Sequence, residues 1–169
     1  MNRYTVFDVE TTGLRPDRGD RLIEIGAVAL MGEDTVDEFS TLVHPEHSIP
    51  RDVTIIHGIT EKMLVGQPGP DEVIPRFHEF IGTSTLVAHN AEFDVTFLRY
   101  EFDRLGLRLN NRHKCTLKMS RKRYPGLHNY RLKTVARHLF GISAEEGQRH
   151  RALDDTRLTA RVWLEMRRK

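Results

Sequence analysis

Three segments in the first quarter of the chain alternate β-branched and aromatic residues with polar ones: Tyr4–Val9, Leu22–Met31 and Val36–Val43. Turn-forming residues at Arg15–Asp20 and Gly32–Asp34 separate them, so they read as three successive strands of an antiparallel meander. After Pro50 the period changes. Pro70–Ile81 carries a helical pattern, Thr85–Ala88 is a short apolar strand, and the phenylalanine and leucine spacing of Glu92–Leu105 is strongly helical. Cys115–Lys122, Leu132–Phe140 with Gly141 as its stop, and Ala152–Arg167 complete the helices. Three strands followed by alternating helix and strand predict an α/β architecture, a mixed sheet flanked by helices, with catalytic groups at strand ends and on adjacent helices.

The same periodicities put acids where apolar residues belong. A strand over Val6–Glu10 points Asp8 and Glu10 to one face at its C-terminal end, where two adjacent carboxylates repel unless a cation lies between them. Asp94 shares its helical face with Phe97, Leu98, Phe102 and Leu105, whereas Glu92 aligns with Arg99 and Asp103 on the polar side. Asp155 aligns with Leu158, Thr159, Val162 and Met166, and its neighbour Asp154 with Arg157, Arg161 and Arg168. Capping or arginine pairing would account for Asp94 or Asp155 singly, but capping does not place acids on apolar faces. Four inward carboxylates are costly without compensating charge, and a hard divalent cation, Mg²⁺ or Mn²⁺, supplies it better than the softer ions that favour cysteine and several histidines. His150 precedes Asp155 by five residues, near the same cluster, where a neutral imidazole can take a proton from water. His44 and His47 flank Pro45 in a loop with no partner cysteines, which argues against zinc; His57, His89, His113, His128 and His138 carry no periodic signal.

Length and composition leave this picture intact. At 169 residues the chain fits one domain whose core needs neither a disulfide nor a structural metal. No apolar run approaches the ~20 residues of a membrane span, and Asp8 and Glu10 interrupt the N-terminus before a signal-peptide core can form. The expectation is a soluble cytoplasmic protein. The lone Cys115 excludes an intramolecular disulfide, fits a reducing compartment and reads as a small buried hydrophobe. Charge adds more. The net value is +2, yet Arg104 to Ala144 holds eleven Lys and Arg and no acid, while the rest sets fifteen bases against twenty-four acids. A run of like charge is often only a solvated face, but asymmetry this complete points to a polyanion lying against the basic half.

The segments Val6–Gly13, His89–Leu98 and His150–Asp155 resemble, in order and spacing, the three exonuclease motifs of the DEDDh 3′–5′ exonucleases, and His57–Gly58–Ile59–Thr60 matches a connecting loop. The chain is most similar, over essentially its whole length, to the DnaQ-like branch, which holds the proofreading epsilon subunits of bacterial DNA polymerase III and related polymerase exonuclease domains. The resemblance implies an RNase H-like fold with a central mixed five-stranded sheet flanked by helices, and a single exonuclease domain over residues 1–169. It implies two divalent cations, Mg²⁺ or Mn²⁺. Asp8, Glu10 and Asp155 hold the ion that activates water, Asp8 and Asp94 the ion that supports the leaving 3′ oxygen, and His150 is the general base of an in-line displacement. Thr11, Thr12, Gly13 and Leu14 match the part of the first motif that lines the terminal nucleotide, and Ile59 matches a loop residue that touches its base. Asn90 and Phe93 are read as ordering the second motif.

On this reading Arg121, Lys122 and Arg123 contact the strand backbone in a sequence-independent, salt-sensitive way. The implied reaction releases 5′-mononucleotides from the 3′ end of single-stranded or frayed DNA, in replication proofreading or repair. An RNA-trimming exoribonuclease of the same superfamily is the alternative. A catalytically silent nucleic-acid-binding protein is a third reading, disfavoured because Asp8, Glu10, Asp94, His150 and Asp155 are all present. Epsilon subunits continue into a tail that binds the polymerase, whereas this chain ends 14 residues after Asp155. The expectation is therefore a free-standing enzyme, a catalytic fragment, or a DNA polymerase partner bound without a tethering tail.

Overall fold

Strand parity determines how the layers stack in the structure, a computed structural model that describes residues 3–141 and 151–168. β1 (Arg3–Thr11), β2 (Leu22–Met31) and β3 (Asp34–Leu42) form the antiparallel meander; β4 (Thr85–Ala88) pairs parallel with β1, and β5 (His113–Cys115) parallel with β4. The sheet order is β3-β2-β1-β4-β5, the mixed five-stranded sheet expected, with β1 at its centre. Around it lie α1 (Arg51–His57), α2 (Glu61–Leu64), α3 (Pro70–Ile81), α4 (Ala91–Arg104), α5 (Thr116–Arg123), α6 (Leu132–Phe140) and α7 (Ala152–Arg168). Among the described residues no helix is long and apolar enough to cross a membrane.

Odd-numbered β1 residues face one helical layer. Phe7 and Val9 pack in one cluster with Phe77 and Ile81 of α3 and with Phe97, Leu98 and Phe102 of α4. Tyr4 and Val6, of the other parity, join Val28, Leu30 and Val87 under Ala160 and Trp163 of α7. Each fully buried phenylalanine contributes ~1.5–3 kcal/mol of transfer free energy, and Phe7, Phe77, Phe97 and Phe102 are all in this class. α6 lies outside α7, with Val135 and Ala136 against Val162 and Met166.

Three elements depart from the periodic reading. β5 takes Cys115, where the pattern began a helix, into the sheet, and α5 starts one residue later at Thr116; the strand is too short to alternate and is held by pairing Leu86 with His113 through Ala88 with Cys115. α1 and α2 are unheralded because α1 carries no buried apolar stripe, Ile55 being 81% exposed and Ile56 60%, and α2 is too short, at four residues, to show a period. The 3₁₀ turn Pro16–Arg18 falls within the expected β1–β2 turn and ends on Gly19 at φ +99°.

Candidate active site

The acids meet at the C-terminal end of β1. Asp8 and Glu10 share the β1 face that α7 covers, and Asp155 in the first turn of α7 approaches them, so that one oxygen from each of the three lies within 4.8 Å of the others. All three are half-buried. The β1–β2 register slips between Glu10 and Thr11, a bulge that ends the regular ladder just past the second acid. Asp94 arrives from the opposite layer, in the first turn of α4, 2% exposed, with its Oδ1 accepting from the Val9 N–H at 3.3 Å. It therefore stands beside the three-carboxylate group rather than within it, although its charge reaches Asp8. Asp154 is turned out to solvent against Arg157, as its helical phase requires.

The surroundings of Asp8 and Asp94 favour the protonated carboxyl. Burial pushes Asp8 well above the ordinary carboxylate range, and repulsion from Asp94, Glu10, Asp155 and Glu24 pushes it further. Burial raises Asp94 from 3.8 to about 7, against the opposing pull of backbone hydrogen bonds at Asp94 itself and Val9. Hard oxygen donors gathered this closely, Asp8 among them desolvated and repelled by its neighbours, fit a divalent cation.

Next to the acids opens a cavity of about 940 Å³ whose lining includes Asp8 and Asp155, the cations Arg121, Arg131, Lys133 and Arg137, and His89, Asn90 and Tyr130. His89 is held by two hydrogen bonds. Its Nε2–H donates to the Tyr130 carbonyl at 2.8 Å, its Nδ1 pairs with the Thr116 hydroxyl at 2.9 Å, and burial lowers its pKa. Asn90 adopts φ +77°, turning the chain from β4 into α4, in keeping with an ordering role.

Several expected substrate contacts are placed differently. Ile59 has no exposed surface and packs with Ile23, Ile49 and Leu64, so it is a core residue that anchors its loop and not a base contact. Thr12 is 1% exposed, its hydroxyl accepting from the Arg21 N–H at 2.8 Å, and the Thr11 hydroxyl donates to the Gly13 carbonyl at 2.6 Å. Both threonines shape the turn, and of the four residues Thr11 to Leu14 it is Leu14 that stands exposed, at 76%. Of the basic trio only Arg121 lines the cavity. Lys122 is exposed outside its lining, and Arg123 donates to the Met166 carbonyl at 2.9 Å near the end of α7. Arg131, Lys133 and Arg137 take their place; the acid-free run contains them, but only the packing of α6 shows which of its members reach the cavity. His150 lies outside the described residues.

Acids at the end of a central strand, a cation-lined cavity beside them, and helices on both faces of this sheet define an exonuclease of the RNase H-like fold. A family model described as an exonuclease of the RNase T type matches residues 5–163, and the chain belongs to that family. A DNA polymerase III of PolC type from Clostridium perfringens (strain 13 / Type A) is 47% identical over 161 residues, 95% of this chain but 11% of that protein. A DNA polymerase III subunit epsilon from Aquifex aeolicus (strain VF5) is 40% identical over 164 residues, 96% of this chain and 79% of its own length. The solved exonuclease X in complex with 5′ overhanging duplex DNA superimposes with a TM-score of 0.77 at 29% identity, covering 98% of this chain and 91% of that one. An exonuclease I structure, at a TM-score of 0.86 and 19% identity over 100% of this chain and 41% of its own, supports the fold alone.

Proposed function

We propose that the chain is a metal-dependent 3′–5′ exonuclease, one domain over residues 1–169, that releases 5′-mononucleotides from single-stranded or frayed DNA ends in replication proofreading or repair. The observation that carries this reading is the convergence of Asp8, Glu10 and Asp155 within 4.8 Å beside a basic cavity, in a chain of the exonuclease family. Asp8, Glu10 and Asp155 would hold one Mg²⁺ or Mn²⁺, and Asp8 with Asp94 a second. Bound there, the cations supply Lewis-acid polarisation of the phosphodiester and a lowered pKa for the attacking water.

The remaining work falls to side chains. Arg121, Arg131, Lys133 and Arg137 hold backbone phosphates without reading bases. The turn held by Thr11, Thr12 and Gly13 sets Leu14 against the terminal nucleotide, and His150 takes the proton of the attacking water. A DNA polymerase is the proposed partner, since relatives carry that name, and the cytoplasm the proposed compartment, where the free Cys115 stays reduced.

Incubation of 5′-labelled single-stranded DNA with Mg²⁺ or Mn²⁺ should give a descending ladder, blocked by a 3′ phosphate and abolished by Asp8→Ala. No ladder with either metal, or a ladder from Asp8→Ala, would refute the proposal. Faster turnover of a matched RNA oligomer would redirect it to an exoribonuclease.

A further inference from the structure

Glu24 brings a carboxylate into the sheet directly beside the acid cluster. It lies opposite Glu10 in the β1–β2 ladder and is 1% exposed. Both its oxygens are engaged with the start of α7. Oε1 accepts from Arg151 Nε at 2.9 Å and Nη2 at 2.7 Å, and Oε2 accepts from the Ala152 N–H at 3.0 Å. Two residues along β2, Gly26 completes the attachment. Its carbonyl accepts from the Thr156 hydroxyl at 2.9 Å, and a Cβ there would sit 2.3 Å from the Leu153 nitrogen, so only glycine lets the helix backbone lie on the strand.

We propose that Glu24 is a positioning residue for the metal-site carboxylates: by clamping Arg151 and Ala152 it sets the height and rotation of α7 and so holds Asp155 against Asp8 and Glu10. The inference rests on the metal-exonuclease reading above. Asp155 lies between the two points of attachment, Ala152 and Thr156, both fully buried, so tilting the helix start moves its carboxylate directly. The clamp has a second effect. Arg151 lies within the electrostatic reach of Glu10 as well as Glu24. With Glu24 neutralised, the guanidinium is free to swing toward Glu10 and to compete with a cation for it. A buried carboxylate at a helix N-terminus would serve packing alone equally well; what separates the two roles is metal affinity.

The test is Mn²⁺ binding by calorimetry to the full chain without nucleic acid, paired with thermal melts. Wild-type protein should take up Mn²⁺, and Asp155→Asn should not. Glu24→Gln, measured below its melting temperature, should bind Mn²⁺ about 10–100-fold more weakly, the loss typical when a group that orients a ligand is removed. Arg151→Lys, which keeps the charge but not the two-pronged contact, should fall between. The Arg151 side chain is 43% exposed, so the lysine variant folds and carries the test even where Glu24→Gln does not. Lowered melting temperatures with wild-type Mn²⁺ affinity in these variants would overturn the clamp and leave the site standing. No Mn²⁺ uptake by the wild type would overturn the metal-exonuclease reading itself.

Discussion

Asp94 should make the metal-free protein lose stability as pH rises between about 4 and about 7. Its carboxyl is 2% exposed, and burial raises its pKa from 3.8 to about 7. Within that window the folded protein keeps a proton that the unfolded chain has already released, so stability is greatest on the acid side and falls with pH. At 1.36 kcal/mol per unit, about three units set a ceiling near 4 kcal/mol, of which roughly 3 kcal/mol falls between pH 5 and pH 8. For a chain of this length that is about 6–12 °C in melting temperature. Asp8, raised by burial and by its acidic neighbours, adds in the same direction. His57 and His89 oppose it, because burial lowers their pKa values, so in their window the unfolded chain binds more protons and stability rises with pH. Comparison with Asp94→Asn cancels the histidines and keeps an oxygen for the Val9 N–H. In EDTA the asparagine variant should melt above the wild type at pH 8, with the gap closing toward pH 5, and added Mn²⁺ should raise the wild type more than the variant. Melts by circular dichroism at four pH values suffice. A gap that does not widen from pH 5 to pH 8 would refute the claim that Asp94 is a desolvated, uncompensated acid.

Gly26→Ala should cost about 3 kcal/mol, the upper end for overpacking where the clash is with backbone, because its Cβ would lie 2.3 Å from the Leu153 nitrogen; Mn²⁺ uptake should fall with it, and a wild-type melt would refute the contact. Arg131→Glu and Arg137→Glu should weaken single-stranded DNA binding and reduce the salt slope by about one each. Arg123→Glu should instead lower the melting temperature and leave the slope alone, since that side chain holds the end of α7. Equal slope changes in all three would refute this division of the basic residues.

The four acids were legible because each sits in a long element of clear period. In β1, α4 and α7 the phase of an acid relative to its apolar neighbours is enough to turn it inward. That argument uses only local spacing, and it fails where burial is settled by a distant partner. Glu24 looks like the polar member of an otherwise apolar strand, and its partners Arg151 and Ala152 lie 127 and 128 residues away. An acid inside a strand apolar on both faces is the one signal that could have singled it out. Ile59 fails in the opposite direction: a loop position suggests exposure, but its side chain fills a pocket among Ile23, Ile49 and Leu64. Among the cations, density along the chain drew attention to Arg121–Arg123, whereas reaching the cavity depends on how α6 packs against α7 and brings Arg131, Lys133 and Arg137 to it.

The site occupies the end of β1 because there alone can both helical layers supply acids. Along the middle of the strand, Phe7 is sealed under α3 and α4 while Val6 is sealed under α7. At the C-terminal end the first turn of α4 brings Asp94 from one side of the sheet and the first turn of α7 brings Asp155 from the other. Both are helix N-termini, whose partial positive charge favours a carboxylate by ~0.3–1 kcal/mol each and up to ~2 kcal/mol in partly buried settings. That falls short of the several kcal/mol that desolvating a charge costs, and the proton-binding tendency of Asp8 and Asp94 is the residue of that shortfall. Arg151 lies within the electrostatic reach of Glu10, and Glu24 holds its guanidinium in a two-pronged contact. The fold thus collects acids from both layers, leaves Asp8 and Asp94 prone to hold protons, and ties Arg151 to Glu24. A divalent cation balances such a site without adding bulk, and leaves positive charge facing the cavity where a phosphodiester would lie.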